Sequence, residues 1–290
     1  MAILPSLFTL GNALCGFAAI TFTTRAVVSP DELHAVGTGA VMWAGYFVVL
    51  AMVFDAVDGR VARFARVTTD FGGQLDSVAD AVSFGLAPAF LMNRVVVECL
   101  REPMQTAGLG GFLRLGWVCA AVYMGCALIR LARFNVENVH DEEAHMTFRG
   151  LPSPAAAGAL VSMLIVLAAF WHHGKPGQAL VCRSLLWALP AAAVVLGLLM
   201  VSNLRYIHLL NYCIRGRRPI SHLVLIVLGI AMVALLREKI LLVGFGAYAA
   251  SGLLDRVVRK RKGRAPGEVS PPPLGDASTP EPGSADGAAS

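Results

Sequence analysis

The sequence predicts an all-α, polytopic integral membrane protein, a bundle of about eight spanning helices. Three observations carry that expectation. Of the 290 residues 56% are hydrophobic and only 15% charged, whereas a soluble domain carries roughly a quarter charged residues. The mean hydropathy is +0.65. Apolar runs near the roughly 20 residues that cross a bilayer recur along the chain. The six cysteines form no C-x2-C pair and mostly fall in or beside those runs, which suits core packing rather than disulfides or zinc.

The first span is expected over residues 7–24, opened by Pro5 and followed by a loop with Asp31 and Glu32. The segment MAILPSLFTL has no basic leader or small-residue cleavage site, so this helix is expected to be retained. The second span starts near Gly37 and runs to about Arg66. The third, 72–97, re-enters at once, and the fourth, 111–135, ends in RLARFN. A polar connection, 136–154, leads through FRGLPSPAAA into the fifth span, 155–171, and the sixth follows over 181–201. Beyond the basic patch of Arg215, Arg217 and Arg218 come spans at 219–236 and 240–254. A six-span alternative folds these last two runs into a re-entrant pair. Either threading puts the arginine clusters and both termini on one side, the cytoplasm by the positive-inside rule. Residues 1–258 thus form one transmembrane domain, and 259–290 a basic, then disordered, cytoplasmic tail. Directly after a spanning helix, the basic stretch suits anionic lipid headgroups rather than nucleic acid.

The chain is organised around residues 54–85, FDAVDGRVARFARVTTDFGGQLDSVADAVSFG. Asp55 and Asp58, three apart, share one helix face; Asp76 and Asp80, four apart, share a face of the next helix. The link between them is a turn, so the helices run antiparallel with their acids side by side. At about 1.5 Å per residue Asp55 lies some 27 Å from the start of its helix, at the far membrane surface. Four converging carboxylates repel unless cations neutralise them, and an all-oxygen set suits hard divalent ions such as Mg2+ or Mn2+, with room for two. Gly59 and Gly72 leave space for a ligand near the backbone, and Arg60, Arg63 and Arg66 add cations suited to a metal-bound diphosphate.

The spacing D-x2-D-G-x2-A-R-x8-G-x3-D-x3-D is complete from Asp55 to Asp80. It resembles the signature of the CDP-alcohol phosphatidyltransferases, membrane enzymes that move a phosphatidyl group from a CDP-linked lipid onto an alcohol. The resemblance implies that Asp55, Asp58 and Asp76 hold one metal, that Asp55, Asp76 and Asp80 hold the second, and that Asp80 also serves as the base. It places Gly59, Arg63 and Thr69 against the CDP part of the donor, with Ala62 and Gly72 permitting close packing and Asn12 approaching the cytidine side. Direct attack by the acceptor hydroxyl on the lipid-side phosphorus would release CMP with no covalent enzyme intermediate.

The segments LPSLFTLGNALCGF, DSVADAVSFGLAPA, RLARFN, FRGLPSPAAA and LMVSNLRY are similar to the phosphatidylserine synthase branch of that family; Ser6 departs from the branch's usual asparagine. The acceptor it implies is L-serine and the donor CDP-diacylglycerol; homodimerisation is compatible with the resemblance. A serine carboxylate calls for an arginine. Arg130 and Arg133, level with the acids, are the expected partners, with Asn135 and Arg149 nearby. Two alternatives stand beside this reading: the same donor chemistry with glycerol 3-phosphate or an inositol phosphate as acceptor, and a divalent-cation carrier.

Overall fold

The computed structural model describes residues 3–25, 37–65, 70–106, 111–140, 150–173, 179–204 and 239–261. Among them the regular structure is entirely helical: α1 (Ile3–Arg25), α2 (Thr38–Ala65), α3 (Asp70–Asp80), a π-helical turn (Ala81–Leu86), α4 (Ala87–Thr106), α5 (Gly111–His140), α6 (Ser153–His173), α7 (Ala179–Val201) and α8 (Lys239–Arg261). Six segments are long and apolar enough to cross a membrane: Ser6–Arg25, Thr38–Val61, Phe71–Leu100, Arg114–Val136, Ser153–Phe170 and Leu180–Val201. These are the first six spans expected from the sequence. In α8 the apolar stretch is shorter, Leu241–Gly252. The expected span at 219–236 and the tail beyond Arg261 lie outside the described residues.

α6 is the hub. It is apolar on every face, and a helix of that kind belongs inside a bundle; Ala156, Ala157, Leu160, Val161, Leu164 and Ile165 are completely or almost completely enclosed. It packs against α2, α7 and α8. Glycine sets two of these crossings. A Cβ on Gly45 of α2 would lie 2.5 Å from Ile165 Cγ1, and one on Gly158 of α6 would lie 2.4 Å from Phe245 Cε1 of α8. Without a hydrophobic drive between helices in lipid, close backbone approach of this kind supplies much of the packing energy. The outward faces carry Leu14, Phe17, Trp43, Trp117, Leu180 and Leu198, as a lipid-facing surface requires.

α1 does more than begin the bundle. It packs along α2 and also against α3, the π turn and α4, whereas α2 and α3 make little direct contact with each other. The two acid-bearing helices meet through their carboxylates, and both also pack against α1. Below the acids, toward the membrane interior, Cys15 and Ala19 of α1, Val48 and Ala51 of α2, Phe84 and Ala87, and Val161 and Ile165 of α6 form one apolar cluster. That layer floors the site.

Candidate active site

Carboxylate oxygens of Asp55, Asp76 and Asp80 all lie within 4.8 Å of one another. Asp58, one turn beyond Asp55 and only 6% exposed, has its Oδ2 occupied by the Thr9 hydroxyl of α1. Asp80, 9% exposed, accepts a 2.9 Å bond from Asn12 Nδ2, also of α1. Three carboxylates this close, over an apolar floor, repel strongly in a medium less polarisable than water. A hard divalent cation meets that demand, and a set made only of oxygens is the donor chemistry it takes. The residues fit such an ion.

Asp80 ends α3, and the chain then widens into the π turn. π turns inside helices are uncommon and recur at functional sites, since they free backbone groups and rotate the residues on their C-terminal side. Here the turn is braced from two sides. Ser83 Oγ donates to the Asn12 carbonyl at 2.9 Å, and the Tyr123 hydroxyl of α5 donates to the Phe84 carbonyl at 3.0 Å. Tyr123 is wholly buried, so its O–H needs that partner. α1 reaches Ser83 because Gly16 has no side chain; a Cβ there would sit 2.5 Å from Ser83 Oγ and 2.9 Å from Ser83 Cα.

The arginines of α5 occupy different settings. Arg130 is within electrostatic range of Asp80 and of Tyr248 on α8. Its Nη1 donates to Ser153 Oγ at 2.8 Å, and its Nε is buried with no hydrogen-bond partner among the described residues. Arg133, one turn on, reaches Asn203 Oδ1 at 3.3 Å in a more exposed position. Asn135 Oδ1 accepts from Ser77 Oγ at 3.0 Å, tying the end of α5 to the face of α3 between Asp76 and Asp80.

Ser153 is delivered to Arg130 by a short backbone clasp. Gly150 N–H donates to the Leu204 carbonyl at 2.8 Å and Leu151 N–H to the Leu199 carbonyl at 3.0 Å. Gly150 has φ +92°, and a Cβ there would meet the Met200 carbonyl oxygen at 2.3 Å. Glycine is required on both counts.

The remaining expected residues fall around this centre. Gly59 sits in the last turns of α2, and among the described residues nothing lies within 4 Å of where its side chain would project. Ala62 and Arg63 follow in the same helix, their side chains outside the described residues, and Gly72 lies in the first turn of α3. Thr69 and Arg149 lie outside the described residues altogether. Asn12, expected beside the cytidine, is fully buried with its amide turned to Asp80.

The family model for CDP-alcohol phosphatidyltransferases matches residues 2–201, which contain all four aspartates. The chain belongs to that family. It is similar to the CDP-diacylglycerol--serine O-phosphatidyltransferase of Helicobacter pylori (strain ATCC 700392 / 26695), 31% identical over 203 residues that cover 70% of each chain. It is similar to the enzymes of the same name from Methanocaldococcus jannaschii, 32% over 159 residues (55% of this chain, 61% of that one), and Bacillus subtilis, 32% over 161 residues (56% and 75%). As a member of the family, the chain carries its shared region on α1 to α7, while α8 lies beyond it.

Several residues at the centre carried no individual expectation: Thr9, Ser77, Ser83, Tyr123, Ser153 and Asn203. One signal was present for the first. Thr9 and Asn12 are polar, three apart, and lie in a predominantly apolar spanning helix, where polar groups are rarely idle.

Proposed function

We propose that the protein is a phosphatidylserine synthase, transferring the phosphatidyl group of CDP-diacylglycerol to L-serine and releasing CMP. The observation that carries this reading is the closure of Asp55, Asp76 and Asp80 to within 4.8 Å, with Arg130 within electrostatic range of Asp80. The family and the named relatives supply the donor and acceptor classes.

Asp55, Asp58 and Asp76 would hold one divalent ion, Mg2+ or Mn2+, and Asp55, Asp76 and Asp80 a second. Bound there, the ions supply Lewis-acid polarisation of the donor diphosphate and neutralise charge on the departing CMP. Gly59, Ala62, Arg63, Thr69 and Gly72 form the donor side, the glycines leaving room for the nucleotide and Arg63 adding positive charge. On the acceptor side Arg130 holds the serine carboxylate, using the Nε–H that no described residue occupies. Arg133, Asn135 and Arg149 would assist it, as the resemblance implies. Asp80 removes the proton from the serine hydroxyl. The serine oxygen then forms its bond to the lipid-side phosphorus as the bond to the CMP oxygen breaks, and the apolar layer beneath keeps water from competing.

Residues 1–258 serve as the membrane-embedded catalytic domain. The arginine-rich ends face the cytoplasm of a cell whose cytoplasmic membrane holds the protein, so the lipid donor enters sideways while serine and CMP exchange with the cytosol.

The test is CMP release by the purified protein in detergent with CDP-diacylglycerol and Mn2+ or Mg2+, comparing serine, glycerol 3-phosphate, inositol phosphate and no acceptor. Serine-dependent release that falls about 10²–10⁴-fold in Asp80→Asn is the expected result. Release with another alcohol and none with serine overturns the acceptor. No release at all, with Mn2+ flux into proteoliposomes, replaces the enzyme by a carrier.

A further inference from the structure

α1 contributes no acid to the site, yet it makes a hydrogen bond to one carboxylate of each acid-bearing helix. Thr9 and Asn12 are one turn apart on the face of α1 that meets both. The Thr9 hydroxyl donates to Asp58 of α2, and Asn12 Nδ2 donates to Asp80 at the end of α3. Both donors are enclosed: Thr9 is 3% exposed and Asn12 0%.

Packing alone does not account for an asparagine here. A fully buried amide loses its hydration and is compensated only by the bonds it makes. Asn12 Nδ2 goes to Asp80, while its Oδ1 has no partner among the described residues. An aliphatic side chain at this place would fill the space without that cost. The backbone of Asn12 is engaged as well, its carbonyl accepting from Ser83 in the π turn immediately after Asp80. One residue thus fixes both the side chain of Asp80 and the backbone next to it.

We propose that α1 is the positioning helix of the active site, with Thr9 holding Asp58 and Asn12 holding Asp80 in the orientation that presents their free oxygens to the divalent ions. Neither residue touches the reacting atoms. Each acts through a carboxylate, as hydrogen-bond partners of metal ligands do elsewhere, where their loss lowers metal affinity or activity about 10–100-fold. The proposal rests on the transferase reading for the identity of the ligands.

The experiment uses the purified full chain in detergent and the variants Thr9→Val, Thr9→Ser and Asn12→Leu. Mn2+ binding is measured by calorimetry without substrate, thermal stability in chelator, and serine-dependent CMP release with full titrations. The expected result is an Mn2+ affinity lowered about tenfold or more in Thr9→Val and Asn12→Leu, restored in Thr9→Ser, with the chelator Tm of Thr9→Val near wild type. Release falls through kcat, while KM for CDP-diacylglycerol, measured at saturating Mn2+, stays within about twofold of wild type. Unchanged Mn2+ affinity in Thr9→Val and Asn12→Leu overturns the proposal. If Asn12→Leu does not fold, the Thr9 pair decides: equal Mn2+ affinity in Val and Ser variants overturns it. A raised donor KM with normal Mn2+ binding makes these residues substrate contacts and also overturns it. Failure of the transferase reading is separate, since wild type would then bind Mn2+ and release no CMP with any alcohol.

Discussion

Gly16→Ala separates close helix packing from ordinary helix propensity, because the two predict opposite signs. In a helix interior, replacing glycine by alanine is favourable by about 0.5–1 kcal/mol when nothing else changes. At Gly16 the new methyl would lie 2.9 Å from Ser83 Cα and 2.5 Å from Ser83 Oγ. The hydroxyl can rotate, but the Cα cannot. Carbon atoms in contact rest about 3.5 Å apart or more, so α1 and the π turn must separate by roughly 0.6 Å. Directed along the Asn12–Asp80 bond, that displacement stretches it from 2.9 Å to about 3.5 Å, beyond the range of a hydrogen bond. Overpacking of this kind costs about 1–3 kcal/mol, which cancels or exceeds the propensity gain. Displacing a reacting group by a fraction of an ångström lowers turnover about tenfold, given that 1 Å costs about a hundredfold. The control is Gly125→Ala in α5, where a Cβ meets nothing within 4 Å among the described residues. Both variants would be compared by thermal unfolding in detergent and by serine-dependent CMP release. A lower Tm and a tenfold lower kcat for Gly16→Ala, with Gly125→Ala at or above wild type in both, is the expected pattern. A Gly16→Ala protein as active as wild type and as stable as the Gly125→Ala control refutes the reasoning.

Arg130→Lys keeps the charge near Asp80 but loses the planar fork and the Nε–H, so KM for serine rises about 10–100-fold in initial-rate titrations while KM for CDP-diacylglycerol stays unchanged; equal serine KM removes Arg130 from the acceptor site. Gly150→Ala forces a methyl to 2.3 Å from the Met200 carbonyl at a φ of +92°, and is expected to lower unfolding stability by about 1–3 kcal/mol and to lower serine affinity through Ser153 and Arg130; a neutral variant shows that the clasp yields. Tyr123→Phe deletes the bond to the Phe84 carbonyl and costs about 1–3 kcal/mol, because it leaves a buried acceptor unsatisfied. Its Tm should fall more than that of a conservative exchange at lipid-facing Trp117, and an equal effect argues that water or relaxation of the π turn satisfies the carbonyl.

The helices and the acids were legible because their signals are local. Six apolar runs of spanning length need no tertiary information, and residues three or four apart in a helix share a face wherever the helix is placed. What could not be read is how the acid helices are held. The acids of α2 and α3 converge as expected, but Thr9 and Asn12 of α1 also bond one acid of each helix, and those bonds join residues 49 and 68 positions apart. The π turn after Asp80 was only partly legible: Pro88 in DAVSFGLAPA has no N–H to give the Phe84 carbonyl four residues back, which disfavours an uninterrupted helix, but the bracing by Asn12 and Tyr123 comes from distant residues. Arg130 and Arg133 look alike in RLARFN. They diverge only because Ser153 and Tyr248 approach one, and Asn203 the other.

Tyr248 also sets a boundary on how such enzymes can be shortened or diversified. It belongs to α8, outside the region matched by the family model, yet it lies within electrostatic range of the Arg130 guanidinium. A chain trimmed after α7 would keep every carboxylate of the acid cluster and lose both this phenol and the Phe245 ring seated over Gly158. The surroundings of Arg130 are thus partly set by a helix outside the matched region. Editing that helix would change the surroundings of Arg130 while the cluster of carboxylates is left as it stands.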